Sequence, residues 1–145
     1  MNFEGTYEVK APRDKVWEFI IDPNKIGKCL PDLKHLEVEG QNKFKAIVRV
    51  GIGFMKGDFI FQLAIVEKTP PSHARLTGTG SGSGSKVDLD TSIDLIEIDG
   101  GTKLVYKTDL KIGGVMSGLG QRVIGGTTEK TVNDVFAYVK KQLET

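Results

Sequence analysis

The chain has 145 residues, with 20 Lys and Arg against 19 Asp and Glu, a net charge of +1 and a pI near 7.8. That length makes one domain, residues 1–145, with a core that needs no staples, and cations scattered along a nearly neutral chain exclude the basic footprint of a nucleic-acid binder. A single cysteine, Cys29, excludes an internal disulfide and a thiolate metal cluster; with no basic leader and no apolar run of about 18 residues, a cytoplasmic protein is expected.

Asn2 to Lys10 alternates, with Phe3, Gly5, Tyr7 and Val9 on one face, the period of a half-buried strand. Pro12 to Ile21 then takes helical spacing through Val16, Trp17, Phe19 and Ile20. Asp22-Pro23 breaks that helix and opens a second short one, about Pro23 to Cys29, closed by Pro31.

From His35 to Ile112 the pattern is an antiparallel meander of six strands. Leu36–Glu39 comes first, then Phe44 to Ile52 in strict alternation, and Phe59 to Ile65 repeats it until Thr69-Pro70-Pro71. Ala74–Gly80 is weaker, Val87–Ile98 alternates again, and Asp99-Gly100-Gly101-Thr102 is a hairpin turn leading into Leu104–Ile112. The run Gly78 to Ser85 reads as a loose strand edge or loop at the rim, its length suiting a strand end, a bend and a new start. It lacks the helix with Lys and Ser or Thr that a phosphate loop requires.

Val115 to Leu143 reads as one long helix, with Met116, Leu119, Val123, Val132, Val135, Phe136, Val139 and Leu143 on one stripe. Gly118, Gly120, Gly125 and Gly126 weaken its first half by about 1 kcal/mol each relative to Ala. Either they allow close packing or a kink at Gly125 and Gly126, or they thin a helix that roofs a cavity. The whole is an α+β layout, seven strands in a curved antiparallel sheet gripping a C-terminal helix, with two short helices after the first strand.

Ionisable residues avoid the inward parity. Glu8, Lys45, Arg49, Asp58, Asp88, Asp90, Asp94, Lys107 and Asp109 all fall outward, which leaves no catalytic acid–base pair on the inner face. His35 and His73 are too isolated for a metal site, and Cys29 reads as a packing residue. No catalytic residue, metal ligand or cofactor is assigned. A curved sheet that one helix cannot fill leaves an apolar hollow. Its candidate lining is Phe19, Ile20, Leu30, Phe54, Met55, Phe59, Phe61, Tyr106, Leu110, Met116, Leu119 and Val123, with Thr77, Thr91, Thr108 and the Tyr106 hydroxyl as polar contacts.

The opening strand followed by Ala11-Pro12-Arg13-Asp14-Lys15-Val16-Trp17, then Asp22-Pro23 and Cys29-Leu30-Pro31, resembles the CoxG family of carbon monoxide dehydrogenase subunits. Val50-Gly51-Ile52-Gly53 with Lys56-Gly57, the Gly78–Gly84 stretch, Gly101 to Tyr106, and Gly113-Gly114 before Leu119 to Ile124 extend the likeness over nearly the whole chain. Ala-Pro followed by Val-Trp is shared with the wider START and polyketide-cyclase-like superfamily. The resemblance implies a helix-grip fold with a hydrophobic cavity. It also implies an accessory role to a molybdenum-containing carbon monoxide dehydrogenase or related hydroxylase, connected with the membrane or with a lipid-soluble acceptor such as a quinone. Some relatives carry an apolar tail that reaches the membrane. This sequence, ending at Thr145, is expected to make transient contact at the inner face of the membrane.

Non-catalytic binding of a hydrophobic small molecule, lipid or quinone-like, is therefore the leading expectation. A polyketide-cyclase-like enzyme and an adaptor recruiting the dehydrogenase to the membrane are the alternatives. Ligand stabilisation, an ionisable group inside the pocket, and co-purification of the dehydrogenase would favour the three respectively.

Overall fold

The computed structural model describes residues 1–144. Strand β1 (Asn2–Val9) leads through Ala11-Pro12 into helix α1 (Arg13–Ile20) and then α2 (Pro23–Gly27). Asp22 caps α2 by accepting from the Asn24 backbone N–H at 2.9 Å, and Pro23 fills a first-turn position where a missing N–H costs nothing. Six further strands follow as a meander: β2 (Leu33–Val38), β3 (Lys43–Ile52), β4 (Met55–Thr69), β5 (His73–Gly82), β6 (Ser85–Ile98) and β7 (Gly101–Gly114). All pair antiparallel in the order β1-β7-β6-β5-β4-β3-β2. The α+β layout expected from the alternating segments, and the helix-grip fold that the resemblance implies, are the ones observed.

Two expectations are corrected. The Gly78–Ser85 run is not a loose edge or a rim loop. The strand end, bend and new start that its length suits are all there, but they are the end of β5, an interior strand, a two-residue turn and the start of β6. Ser83 (φ 50°) and Gly84 (φ 73°) both adopt positive φ, which matches the right-handed twist of a tight hairpin. Glycine persists along β5 because neighbouring β4 lays its large side chains across it. A Cβ at Gly80 would strike the Phe61 ring and one at Gly78 would strike Leu63.

The long helix is also not continuous from Val115. Val115–Leu119 forms a 3-10 turn, and Gly120, at φ 86°, separates it from helix α3 (Gln121–Leu143). No ordinary residue takes that backbone angle cheaply, so the break falls at Gly120, and the helix runs on through Gly125 and Gly126.

The core lies between the inner face of the sheet and α3, in separate parts. One cluster joins α1 to the C-terminal half of α3 through Val9, Val16, Trp17, Leu95, Leu104, Phe136 and Val139. Within it the Tyr7 and Phe136 rings stack with centroids 4.3 Å apart, and Tyr106 lies 5.7 Å from Phe136. A second cluster, around Val48, Ile52, Met55, Phe59, Val87, Met116 and Ile124, joins the far end of the sheet to the 3-10 turn and the first turn of α3.

Candidate functional site

Between these clusters the inner face of the sheet is incompletely covered. Cross-strand register puts Leu76 of β5 beside Thr91 of β6, Thr91 beside Thr108 of β7, and Leu89 beside Gly78 and Leu110. Ala74 and Leu95, of the same parity, are buried in the first cluster, so Leu76, Leu89 and Thr91 face the helix. Yet Leu76 and Leu89 are only half-buried and belong to neither cluster. Along α3 the corresponding stretch carries Gly125 and Thr128 between Ile124 and Val132. The Thr128 hydroxyl is satisfied by the Ile124 carbonyl at 2.8 Å, and Glu129 on the same stretch is exposed but near enough to Tyr106 to help raise its pKa.

Two devices hollow the wall further. The β5 glycines contribute no bulk of their own, and β1 does the same at Gly5, where a Cβ would lie 2.7 Å from Tyr106 Cε1. Tyr106 therefore leans toward β1 and away from the sheet centre. Burial raises the pKa of Tyr106 and Tyr7 above the ordinary phenol value, keeping both neutral; Tyr7 donates to the Asn133 side-chain oxygen. Thr102 and Ser85 are also inward but are committed, to the Ala11 carbonyl and the Met116 N–H, and at the sheet centre the Thr91 and Thr108 hydroxyls pair at 2.7 Å.

At one end of the sheet lies a cleft of about 390 Å³ open to solvent. Met1, Leu110, Ile112, Gly120, Gln121 and Ile124 are among the residues bounding it, where the end of β7 meets the start of α3. A larger depression of about 650 Å³ lies on the outside, between Asp22–Lys25 and the Gly40-Gln41 turn. It is shallow and mixed in charge, with Glu18, Lys25 and Lys68 spread around it, and does not reach the inner face.

The sheet's ionisable groups occupy the outer face in pairs. Arg75 holds Asp90 through Nε and an Nη at 2.9 and 2.7 Å, His73 meets Asp94 at 2.8 Å and Glu67 at 3.4 Å, and Arg49 lies 3.8 Å from Asp58. Cys29 is buried with its thiol pushed up to about 12 by desolvation, hence unreactive. Among the described residues no group of three or more His, Cys, Asp or Glu is placed to hold a metal, and no helix is long and apolar enough to cross a membrane.

Of the residues singled out in the sequence, Leu30, Met55, Phe59, Phe61, Leu110, Met116 and Leu119 come together in the second cluster. Phe19, Ile20 and Tyr106 belong to the first. Three expected lining residues lie elsewhere. Phe54 is 82% exposed at the β3–β4 turn, because the chain reverses at Gly53-Phe54 and throws the ring outward. Thr77 pairs with Ala64 and Asp90 and so stands on the outer face with Arg75. Val123 is 41% exposed while its neighbour Ile124 is buried. Leu76, Leu89 and Ile124 went unassigned in the sequence, although Ile124 carried a signal. It lies eleven residues before Val135, within about 20° on a 3.6-residue helix, whereas the nine residues from Val123 to Val132 put those two about 180° apart.

A protein family model, that of the carbon monoxide dehydrogenase subunit known as CoxG, matches residues 5–144. Among solved structures, a conserved protein from Geobacillus kaustophilus is 32% identical with a TM-score of 0.92, the match covering 99% of this chain and 95% of that one. A START superfamily protein from Mycobacterium smegmatis superposes with a TM-score of 0.72 at 10% identity, covering 99% and 97% of the two chains. A Rhizobium leguminosarum protein does so at 0.71 and 13%, covering 99% and 94%; at such identities the likeness is one of fold. No curated protein matches the sequence. With the helix-grip fold in place and the family pattern running from Gly5 to Glu144, the chain belongs to the CoxG family of carbon monoxide dehydrogenase subunits.

Proposed function

We propose that this protein binds a hydrophobic small molecule, a lipid or a quinone, between the centre of the sheet and α3, without catalysing a reaction on it. In this reading it serves as an accessory to a molybdenum-containing carbon monoxide dehydrogenase or a related hydroxylase. The family supports the accessory role. The observation that carries the binding role is the pair Leu76 and Leu89: apolar, facing the helix, and packed into neither core cluster. An apolar wall left half-covered inside a fold is a surface whose burial by a ligand is favourable, at about 25 cal/mol per Å² removed from water. The Thr91–Thr108 pair supplies a polar contact for a carbonyl or hydroxyl, and pairing of the sheet carboxylates with cations on the outer face argues against acid–base chemistry within.

The test is thermal. A ligand that binds only the folded state stabilises it by about 2.7 kcal/mol at a hundredfold excess over Kd. Palmitate, or a short-tailed ubiquinone or menaquinone, is expected to raise the melting temperature, and Leu89→Trp to abolish the rise. If none of the three shifts the melting temperature, the reading fails.

A further inference from the structure

Tyr106 carries a proton that the fold does not use. The side chain is 7% exposed, its ring stacked 6.1 Å from Tyr7 and 5.7 Å from Phe136. Tyr7 donates its hydroxyl proton to Asn133, whereas Tyr106 Oη forms no hydrogen bond among the described residues. A phenol buried this deeply ordinarily finds a partner. Arg13 Nε is the one enclosed side-chain polar atom left unpaired among the described residues, so Tyr106 Oη is not sealed in by protein and its tip meets free space. Gly5 keeps that space open: a Cβ there would stand 3.3 Å from the hydroxyl.

A second proton is available next to it. Thr108 is the next inward position along β7, and its hydroxyl meets that of Thr91 at 2.7 Å. Two hydroxyls hold two protons and the bond between them uses one, so the pair keeps a donor to give. Leu76 lies beside Thr91 in register and Leu89 precedes it on the same face of β6. An apolar wall thus ends in a corner with two free donors.

Glu129 sets the charge of that corner. It stands four residues before Asn133 and seven before Phe136, within about 40° and 20° of them around α3, so it shares the face that meets the tyrosine rings. No cation pairs with it among the described residues. Burial first, then Tyr7 and Glu129, hold the Tyr106 phenol in its protonated form. A carboxylate that resists a phenolate at this hydroxyl also resists any other anion brought to it.

We propose that Tyr106 and the Thr91–Thr108 pair bind the polar end of the ligand through an uncharged oxygen acceptor, and that Glu129 disfavours ligands ending in a carboxylate. The inference rests on the ligand-binding reading and adds to it the headgroup chemistry and the residues that select it. Leu76 and Leu89 would cover the apolar part of the same molecule.

Methyl palmitate and palmitate, alike in chain and different in charge, test it at pH 8, with affinities taken from the dependence of the melting temperature on ligand concentration. Tyr106→Phe is expected to weaken methyl palmitate ~5-fold, the net worth of one hydrogen bond. The melting temperature of the free variant should stay unchanged, because the hydroxyl holds nothing in the unliganded protein; a merely structural role would move it. Glu129→Gln, at an exposed position, is expected to tighten palmitate ~5-fold and leave methyl palmitate as it was. Methyl palmitate bound undiminished by Tyr106→Phe, or palmitate affinity unchanged in Glu129→Gln, would overturn the proposal and leave the ligand site standing. No shift with either ligand or with the quinones would remove both readings.

Discussion

The Thr91 and Thr108 hydroxyls meet at 2.7 Å across the β6–β7 pair, on the face that looks toward α3. Each is the natural partner of the other, so a change at one strands its neighbour in an apolar wall. Thr108→Val is expected to cost about 1 kcal/mol, the net worth of a hydrogen bond, whereas Thr91→Val with Thr108→Val should cost less than the sum of the single changes, since no polar atom is left unpaired. Urea unfolding of the four proteins in the cycle measures this. If a bound ligand draws on the pair, the double variant also loses affinity while keeping its fold.

Leu119 sits in the second core cluster, half-buried, beside the cleft. Leu119→Trp should fill space there at little cost in stability and remove stabilisation by palmitate or quinone. In a close-packed site the same change would cost about 1 to 3 kcal/mol. Phe59, 1% exposed in that cluster, serves as the contrast: Phe59→Ala should cost about 3 to 5 kcal/mol by opening a cavity. Melting curves of both variants, with and without ligand, separate packing from occupancy.

Most of the fold could be read from period alone, since the strands alternate and their outward carboxylates find outward partners, as Arg49 does with Asp58. What could not be read depends on chain neighbours. Nothing in the β5 glycines announces an interior strand, because the bulk that fills their place belongs to Phe61 and Leu63 on β4. Phe54 looks like core by composition and is surface by turn geometry, and Thr77 was misplaced by one step of parity. The helix stripe fails at Val123 because nine residues within the unbroken α3 set it about 180° from Val132. Leu76 and Leu89 have ordinary strand identities; only the distance to the roof distinguishes them.

The two helix glycines give a prediction of opposite sign to most core changes. A Cβ at Gly125 would meet Phe3 Cε1 at 3.9 Å and Met1 Cε at 4.0 Å, ordinary contacts, and one at Gly126 would meet nothing within 4 Å. Both replacements by Ala should therefore stabilise the protein, by about 1 kcal/mol each from helix propensity. If bending of α3 admits ligand, Gly125→Ala with Gly126→Ala should also slow association, measured by stopped flow. Stability gained with an unchanged association rate would locate entry at the cleft by Gly120 instead. Gly80→Ala, which drives a methyl into the Phe61 ring, should destabilise and serves as the control.

His73 links stability to pH on the outer face. Hydrogen bonding to Asp94 is the first cause of a pKa raised above 6.5, partly offset by burial and assisted by Glu67. A pKa higher in the folded state means that the native protein binds the proton more tightly than the unfolded chain. The stabilisation is therefore fully present below the unfolded value of about 6.5 and is lost as pH rises through the folded one. His73→Gln should accordingly cost stability at about pH 5.5 and little or none at about pH 8, with solvent screening keeping the effect modest. Denaturant midpoints at the two pH values decide it. Asp94→Asn should reproduce the loss at low pH, since it removes the principal acceptor, and an equal cost at both pH values would show that His73 contributes by packing and not by charge.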